Sequence, residues 1–181
     1  AFVYKSINTD ALAWVIARAT GKDFIEHLSE RIWKPLGMEQ EADMMIDSLG
    51  TPFSAGGLNL SLRGAARFGQ TLLQQGVWQG EQVIPTAAVQ SISGGGDPAK
   101  FAGAGYTTLQ GGSYRSQWWA LHTENGAYSA RGIHGQAIYV DPAAEMVIAR
   151  FATFPISFNA AIDPTSLPAY QAVADYLVQK P

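Results

Sequence analysis

A tyrosine, a lysine, a serine and an asparagine fall within five positions near the start of the chain, as Tyr4, Lys5, Ser6 and Asn8 in FVYKSIN. A phenol with an ordinary pKa of about 10 becomes a general base near neutral pH only where nearby positive charge favours its phenolate. Lys5 adjoins it, but successive side chains of an extended segment point to opposite faces. Lys5 is therefore expected to face outward while Tyr4 and Ser6 share a face, and an activating cation would come from elsewhere. A buried aromatic beside a helix cap accounts for the same residues without any catalysis.

Other chemistries are quickly weighed. His27, His122 and His134 are far apart and none belongs to an H-E-x-x-H pattern, so no metal site and no cofactor are expected. Gly94-Gly95-Gly96 reaches Lys100 only through Asp97, Pro98 and Ala99, which does not make a phosphate-binding loop. Ser54-Ala55-Gly56-Gly57 is the nearest approach to the strained G-x-S-x-G elbow of a serine triad, and it does not meet that pattern. The chain has 181 residues, 47% of them hydrophobic and 15% charged, the balance of a globular protein. A net charge of −3 gives no basic footprint for nucleic acid. No apolar run approaches the roughly 20 residues of a membrane span. With no cysteine there is neither a disulfide framework nor a thiolate nucleophile within these residues.

Periodicity supplies the elements that must position such groups. Asn8, Thr9 and Asp10 are candidate caps for a helix whose apolar residues are Leu12, Val15, Ile16 and Ala19, with Gly21 as its stop. Asp23 caps a second helix over Phe24, Ile25, Leu28 and Ile32, ended by Pro35. Positions 37 to 60 read as a long loop. Ser61 caps a third helix stopped by Gly76, and Pro85-Thr86 opens a short fourth. Gly94 to Gly112 reads as loop. Strands are expected over Tyr114–His122, Ala127–Ile133, Gln136–Val140 and Met146–Thr153, with short turns that imply antiparallel pairing. A final helix is expected from Pro168 to Gln179. The fold class is therefore α+β, with a mostly helical region over 1–112 and strands plus a covering helix over 113–181.

Several segments, in order, resemble the serine β-lactamase-like hydrolases, a group of class C β-lactamases, esterases and D,D-peptidases. Within that group the chain is similar to the 6-aminohexanoate-dimer hydrolases. FVYKSINTDALAWVIARATGKDF resembles the tyrosine motif and its helix, and ERIWKPLGM the family's helix end. SAGGLNLSLRGAARFGQTLL resembles the glycine loop and helix, and GVWQGEQVIP the following turn. YRSQWW and ARGIHGQAIYVDP resemble the closing strands. The resemblance implies the transpeptidase-like fold and a serine nucleophile in an S-x-x-K motif, with that lysine and a tyrosine moving protons. Tyr4 matches the tyrosine, and Ser6 stands where class C enzymes carry an asparagine that helps to hold the lysine or the substrate. The K-T-G strand motif aligns with Ala130-Arg131-Gly132-Ile133, which makes the Ile133 backbone N–H an oxyanion donor. A competing register over His134-Gly135-Gln136 would give that role to Ala137. Ala130 in place of lysine removes the cation that would hold a β-lactam carboxylate. Trp119 would line the substrate pocket, or else serve core packing, and His134 would contact substrate.

The S-x-x-K motif itself is not found. Residues Phe2, Ala19, Arg31, Asp97 and Leu177 stand three positions before Lys5, Lys22, Lys34, Lys100 and Lys180. The nucleophile and its lysine are thus expected in a missing N-terminal segment, either joined to these residues or a separate chain, and these residues alone should be inactive. The expected activity is cleavage of a small-molecule amide or ester through an acyl-enzyme. The rival reading is a catalytically inactive domain of the same fold that binds a ligand or partner. The family has periplasmic and cytoplasmic members, so compartment stays open.

Overall fold

The computed structural model describes residues 1–179, which divide into two compact units, Val3–Gly64 and Ala65 onward together with Ala1–Phe2.

In the smaller unit, α1 spans Ile7–Thr20 and begins earlier than its best cap residues suggest. Ser6 already has helical backbone angles (φ −56°, ψ −39°) and takes the N-cap place without a side-chain capping bond. Asp10 lies instead in the first turn, where its Oδ1 accepts the Ala55 N–H at 3.0 Å and ties the helix to a distant loop. Gly21 ends α1 at φ 73°, a left-handed angle that costs glycine little. Asp23 accepts the Glu26 N–H at 2.7 Å and starts α2 (Phe24–Leu28), which widens into one π turn over Ser29–Trp33. The stretch read as loop contains a two-stranded antiparallel ribbon, β1 (Asp43–Met44) with β2 (Leu58–Asn59). A Cβ on Gly57 would lie 2.6 Å from the Phe53 oxygen, so the ribbon closes only on glycine here.

Helix α3 (Leu62–Leu73) starts where the Ser61 hydroxyl accepts the Gly64 N–H at 3.1 Å, as its sequence predicts. A small ribbon, β3 (Val77–Trp78) and β4 (Glu81–Gln82), and α4 (Thr86–Ser93) follow. Within the presumed glycine-rich loop, Asp97 accepts the N–H groups of Ala99 and Lys100 and opens α5 (Pro98–Ala102). Small residues masked this turn because its signal is one cap rather than an apolar period.

A five-stranded antiparallel meander follows: β5 (Ser113–Arg115), β6 (Trp118–Ala120), β7 (Tyr128–Arg131), β8 (Ala137–Asp141) and β9 (Met146–Arg150), paired in chain order. The single run expected from Tyr114 to His122 is two strands. Ser116 and Gln117, both at positive φ (49° and 69°), make a two-residue hairpin turn without the usual Asn-Gly signature. The last helix, α6, runs from Asp163 to Val178 and carries Pro168 inside it rather than at its start.

Alternation along β8 and β9 assigns the two faces of this sheet. Tyr139 and Met146 pack with Ala174 of α6, with Ile148 and Tyr170 at the margin. Ile138 and Val147 instead approach Gly69 of α3, and Trp118 meets Phe68 of the same helix. The larger unit is thus helix, sheet and helix in layers. A second cluster gathers Phe101, Leu109 and Trp119, bordered by Phe2, Tyr106, Tyr114 and Leu167.

Candidate active site

Strand β7 ends at Arg131 and β8 begins at Ala137, which face each other in register. Gly132 to Gln136 therefore form the connecting turn. Gly132 is extended (φ −98°, ψ 170°) and its N–H donates to the Gln136 oxygen at 2.9 Å, continuing the ladder toward β8. Successive N–H groups of an extended segment point to opposite edges, so the next one, on Ile133, points away from β8. The Ile133 N–H finds no acceptor among the described residues, and the residue is 65% exposed. A Cβ on Gly132 would lie 2.8 Å from that of Gln136, so only glycine fits immediately before the donor.

The turn is bonded to the segment after β9 at several points. The Gln136 amide exchanges two hydrogen bonds with Ala152, its Oε1 accepting the N–H at 3.1 Å and its Nε2 donating to the carbonyl. His134, left-handed at φ 57°, donates its N–H to Ser157 at 3.3 Å and accepts the Phe154 N–H at 3.2 Å. Its ring Nδ1 lies 2.6 Å from the Phe154 carbonyl oxygen. That oxygen can only accept, so the proton sits on Nδ1 and leaves Nε2 as an acceptor in the neutral ring. Asn159 Nδ2 donates to the Gly132 carbonyl at 2.9 Å.

Beneath the turn, Arg131 makes a buried ion pair with Asp163, whose other oxygen accepts the Thr108 hydroxyl. Burial pushes the Arg131 pKa down and the Asp163 carboxylate opposes that shift, so the guanidinium stays charged and paired. It also lies over the Trp119 ring at 5.8 Å. Arg131 is therefore committed to the core and does not replace the lysine absent at Ala130. Trp119 itself is only 7% exposed, ringed by Phe2, Phe101, Tyr106 and Tyr114 at centroid distances of 4.8 to 6.3 Å. Its ring is packed within this aromatic cluster.

The structure puts Ile133 and His134 on one turn, with Trp119 below Arg131 at the turn's base, all in the larger unit. Tyr4 and Ser6 belong to the smaller unit. Tyr4 is 43% exposed and directly precedes the turn in which the Asn8 N–H donates to the Lys5 carbonyl. Because Ser6 is helical, strand alternation does not extend from Tyr4 to it, and the shared face expected of the two lacks that support. Ala137 sits inside the sheet with Arg131 on one side and Arg150 on the other.

Two polar groupings had no local signal. Asp163 and Asn159 reach β7 and its turn across 32 and 27 residues, which no spacing rule detects. Ser113 Oγ lies 2.7 Å from His122 Nε2, a serine–histidine contact, but this serine is 1% exposed and its oxygen already accepts the Gly96 N–H. It braces a loop and offers no access to substrate. Among the described residues, no three His, Asp or Glu side chains gather to hold a metal ion. No helix among them is long and apolar enough to cross a membrane.

The family model described as Beta-lactamase matches residues 1–167. The chain is 37% identical over 155 residues to a 6-aminohexanoate-dimer hydrolase of Paenarthrobacter ureafaciens, a match covering 85% of this chain and 40% of that protein. A solved structure described as a putative 6-aminohexanoate-dimer hydrolase from Bacillus anthracis superposes with a TM-score of 0.88 at 35% identity, covering all of this chain and 45% of that one. A β-lactamase from Mycobacterium bovis shares the fold at a TM-score of 0.71 and 20% identity, over 97% of this chain and 64% of its own. The chain thus spans less than half the length of the two hydrolases it matches at 35% identity or more.

Proposed function

Since this chain belongs to the β-lactamase family, we propose that it is the part of a serine hydrolase that carries the tyrosine and the backbone oxyanion donor. The nucleophilic serine and its lysine come from residues outside this sequence. In this reading the serine Oγ attacks the carbonyl carbon of a small amide or ester. Its proton passes through Tyr4 and that lysine and onward to the leaving amine or alkoxide. The negative charge on the carbonyl oxygen is met by the Ile133 N–H, and water releases the acyl group by the reverse relay.

The observation that carries this reading is the Ile133 N–H itself, without an acceptor among the described residues, on an exposed residue of a turn held by several hydrogen bonds. Ala137 is the weaker donor, because a residue with sheet partners on both sides has its N–H turned to one of them. Ser6 supports Tyr4 in that its hydroxyl is not used as a helix cap. His134 offers Nε2 to a substrate donor. Trp119 contributes by holding the turn's base, and at most its edge faces substrate.

With alanine at position 130 and Arg131 held by Asp163, nothing in this motif grips a β-lactam carboxylate. The substrate class favoured is therefore a linear amide of the aminohexanoate-oligomer type or a short ester, in line with the relatives' names.

The test is hydrolysis of p-nitrophenyl esters by the full-length protein and its Tyr4→Phe variant. Loss of the general base should lower kcat by about 10²-fold or more. Full retention of rate in Tyr4→Phe would remove Tyr4 from the mechanism. An inactive parent would favour the binding-domain alternative.

A further inference from the structure

We propose that Asn159 is a positioning residue that sets the orientation of the Ile133 N–H; this rests on reading that N–H as the oxyanion donor. The Gly132 carbonyl and the Ile133 N–H belong to one planar trans peptide, in which C=O and N–H point in opposite directions. Fixing one end of that unit fixes the other. The Gly132 oxygen receives the Asn159 Nδ2 at 2.9 Å, and because a carbonyl only accepts, it is the NH2 end of the amide that faces it.

The bond is needed because of the residue beside it. Glycine has no Cβ to bias its backbone, so rotation of the Gly132–Ile133 peptide about its Cα–Cα line is sterically cheap. Such a flip would put the Gly132 carbonyl oxygen where the donor belongs, presenting a partial negative charge to a developing oxyanion. The preceding peptide is already held by the bond from Gly132 N–H to Gln136, which leaves this one as the free joint. Asn159 is itself anchored, since it opens a short 3-10 turn over Asn159–Ala161 and its carbonyl accepts the Ile162 N–H at 2.8 Å. A hydrogen bond at the carbonyl also polarises the N–H of the same peptide, strengthening it as a donor.

The full-length enzyme tests this with Asn159→Ala and Asn159→Asp. The second keeps the shape but has no donor at neutral pH, and its carboxylate repels the Gly132 oxygen. Hydrolysis of p-nitrophenyl acetate is measured together with inhibition by phenylboronic acid, whose tetrahedral serine adduct places an oxygen at the oxyanion position. A full oxyanion donor is worth about 10²–10³-fold, so misaligning one should lower kcat about 10- to 100-fold and weaken the boronate by a similar factor. KM should stay within about twofold in both variants, since ground-state binding does not use the donor. Folded variants with rate and boronate inhibition within about twofold of the parent overturn the proposal. So does a loss of rate with boronate inhibition intact. Should Asn159→Ala fail to fold, the near-isosteric Asn159→Asp decides by the same two readouts. If Tyr4→Phe abolishes activity while the Asn159 variants do not, only the positioning role falls. An inactive parent removes both readings.

Discussion

Tyr128 is fully buried in β7, edge-on to Trp118 at 5.6 Å, and its hydroxyl finds no partner among the described residues. A buried unsatisfied hydroxyl costs stability that the ring's packing must offset. Burial also pushes its pKa from 10.0 up to about 12. The unfolded chain therefore gives up this proton from near pH 10 while the folded chain holds it, so stability is full below that pH and falls as pH rises to about 12. Tyr128→Phe removes both effects. At neutral pH it should be neutral or stabilising by about 1 kcal/mol. The alkaline loss of stability should become shallower, not vanish, because burial and Asp141 push Tyr139 in the same direction. Urea denaturation at about pH 8 and about pH 11 measures both. A large loss of stability at pH 8 would show that the hydroxyl has a partner after all.

At the scale of elements, α3 lies on the sheet through Gly69. A Cβ there would stand 2.6 Å from Val147 Cγ1 and 2.9 Å from Ile138 Cγ2. Two effects oppose each other in Gly69→Ala. Helix propensity favours alanine by about 1 kcal/mol. Overpacking against two β-branched side chains of the sheet costs about 1–3 kcal/mol, since neither can swing away as a long flexible chain would. We expect the clash to win, with a net loss of about 1 kcal/mol or more read from the urea midpoint. An unchanged or raised midpoint would mean that the helix shifts on the sheet at little cost.

Over the whole molecule, the core is unevenly shared. Of the buried hydrophobic residues, Ala13 and Leu36 alone lie in Val3–Gly64, and all others lie in the larger unit. Helix α1 exposes Ile7, Leu12, Trp14 and Val15, and α6 exposes Val173, Tyr176 and Val178. So many exposed large apolar side chains on regular elements fit a protein in which further chain covers them. Among the described residues β9 also has no strand on its outer edge. The 181 residues expressed alone should therefore bind a hydrophobic dye, aggregate, and lack a single cooperative unfolding transition. Co-expression with an upstream segment bearing S-x-x-K should restore solubility and ester hydrolysis. A soluble monomer with two-state unfolding in isolation would contradict this.

The sequence by itself determined what depends on near neighbours. Asp23 and Ser61 announced their helices, Gly21 its stop, and turn residues the antiparallel meander, because caps, periods and turns act over a few positions. It also put forward Tyr4 and Ile133 as candidates, through resemblance to family motifs that follow one another along the chain. It missed α5 and the β5–β6 hairpin and misplaced the start of α6, where one cap, two non-glycine left-handed residues and an internal Pro168 gave no periodic or turn signal. Tertiary structure alone decided that Trp119 is enclosed by aromatic rings, that Asp163 takes Arg131 out of play, and that Asn159 grips the Gly132 carbonyl. Each of these joins residues distant in sequence through contacts that exist only once sheet and helix are packed. The proposed oxyanion donor thus comes from a motif read along the chain, while the peptide that carries it is held by a side chain 27 residues away.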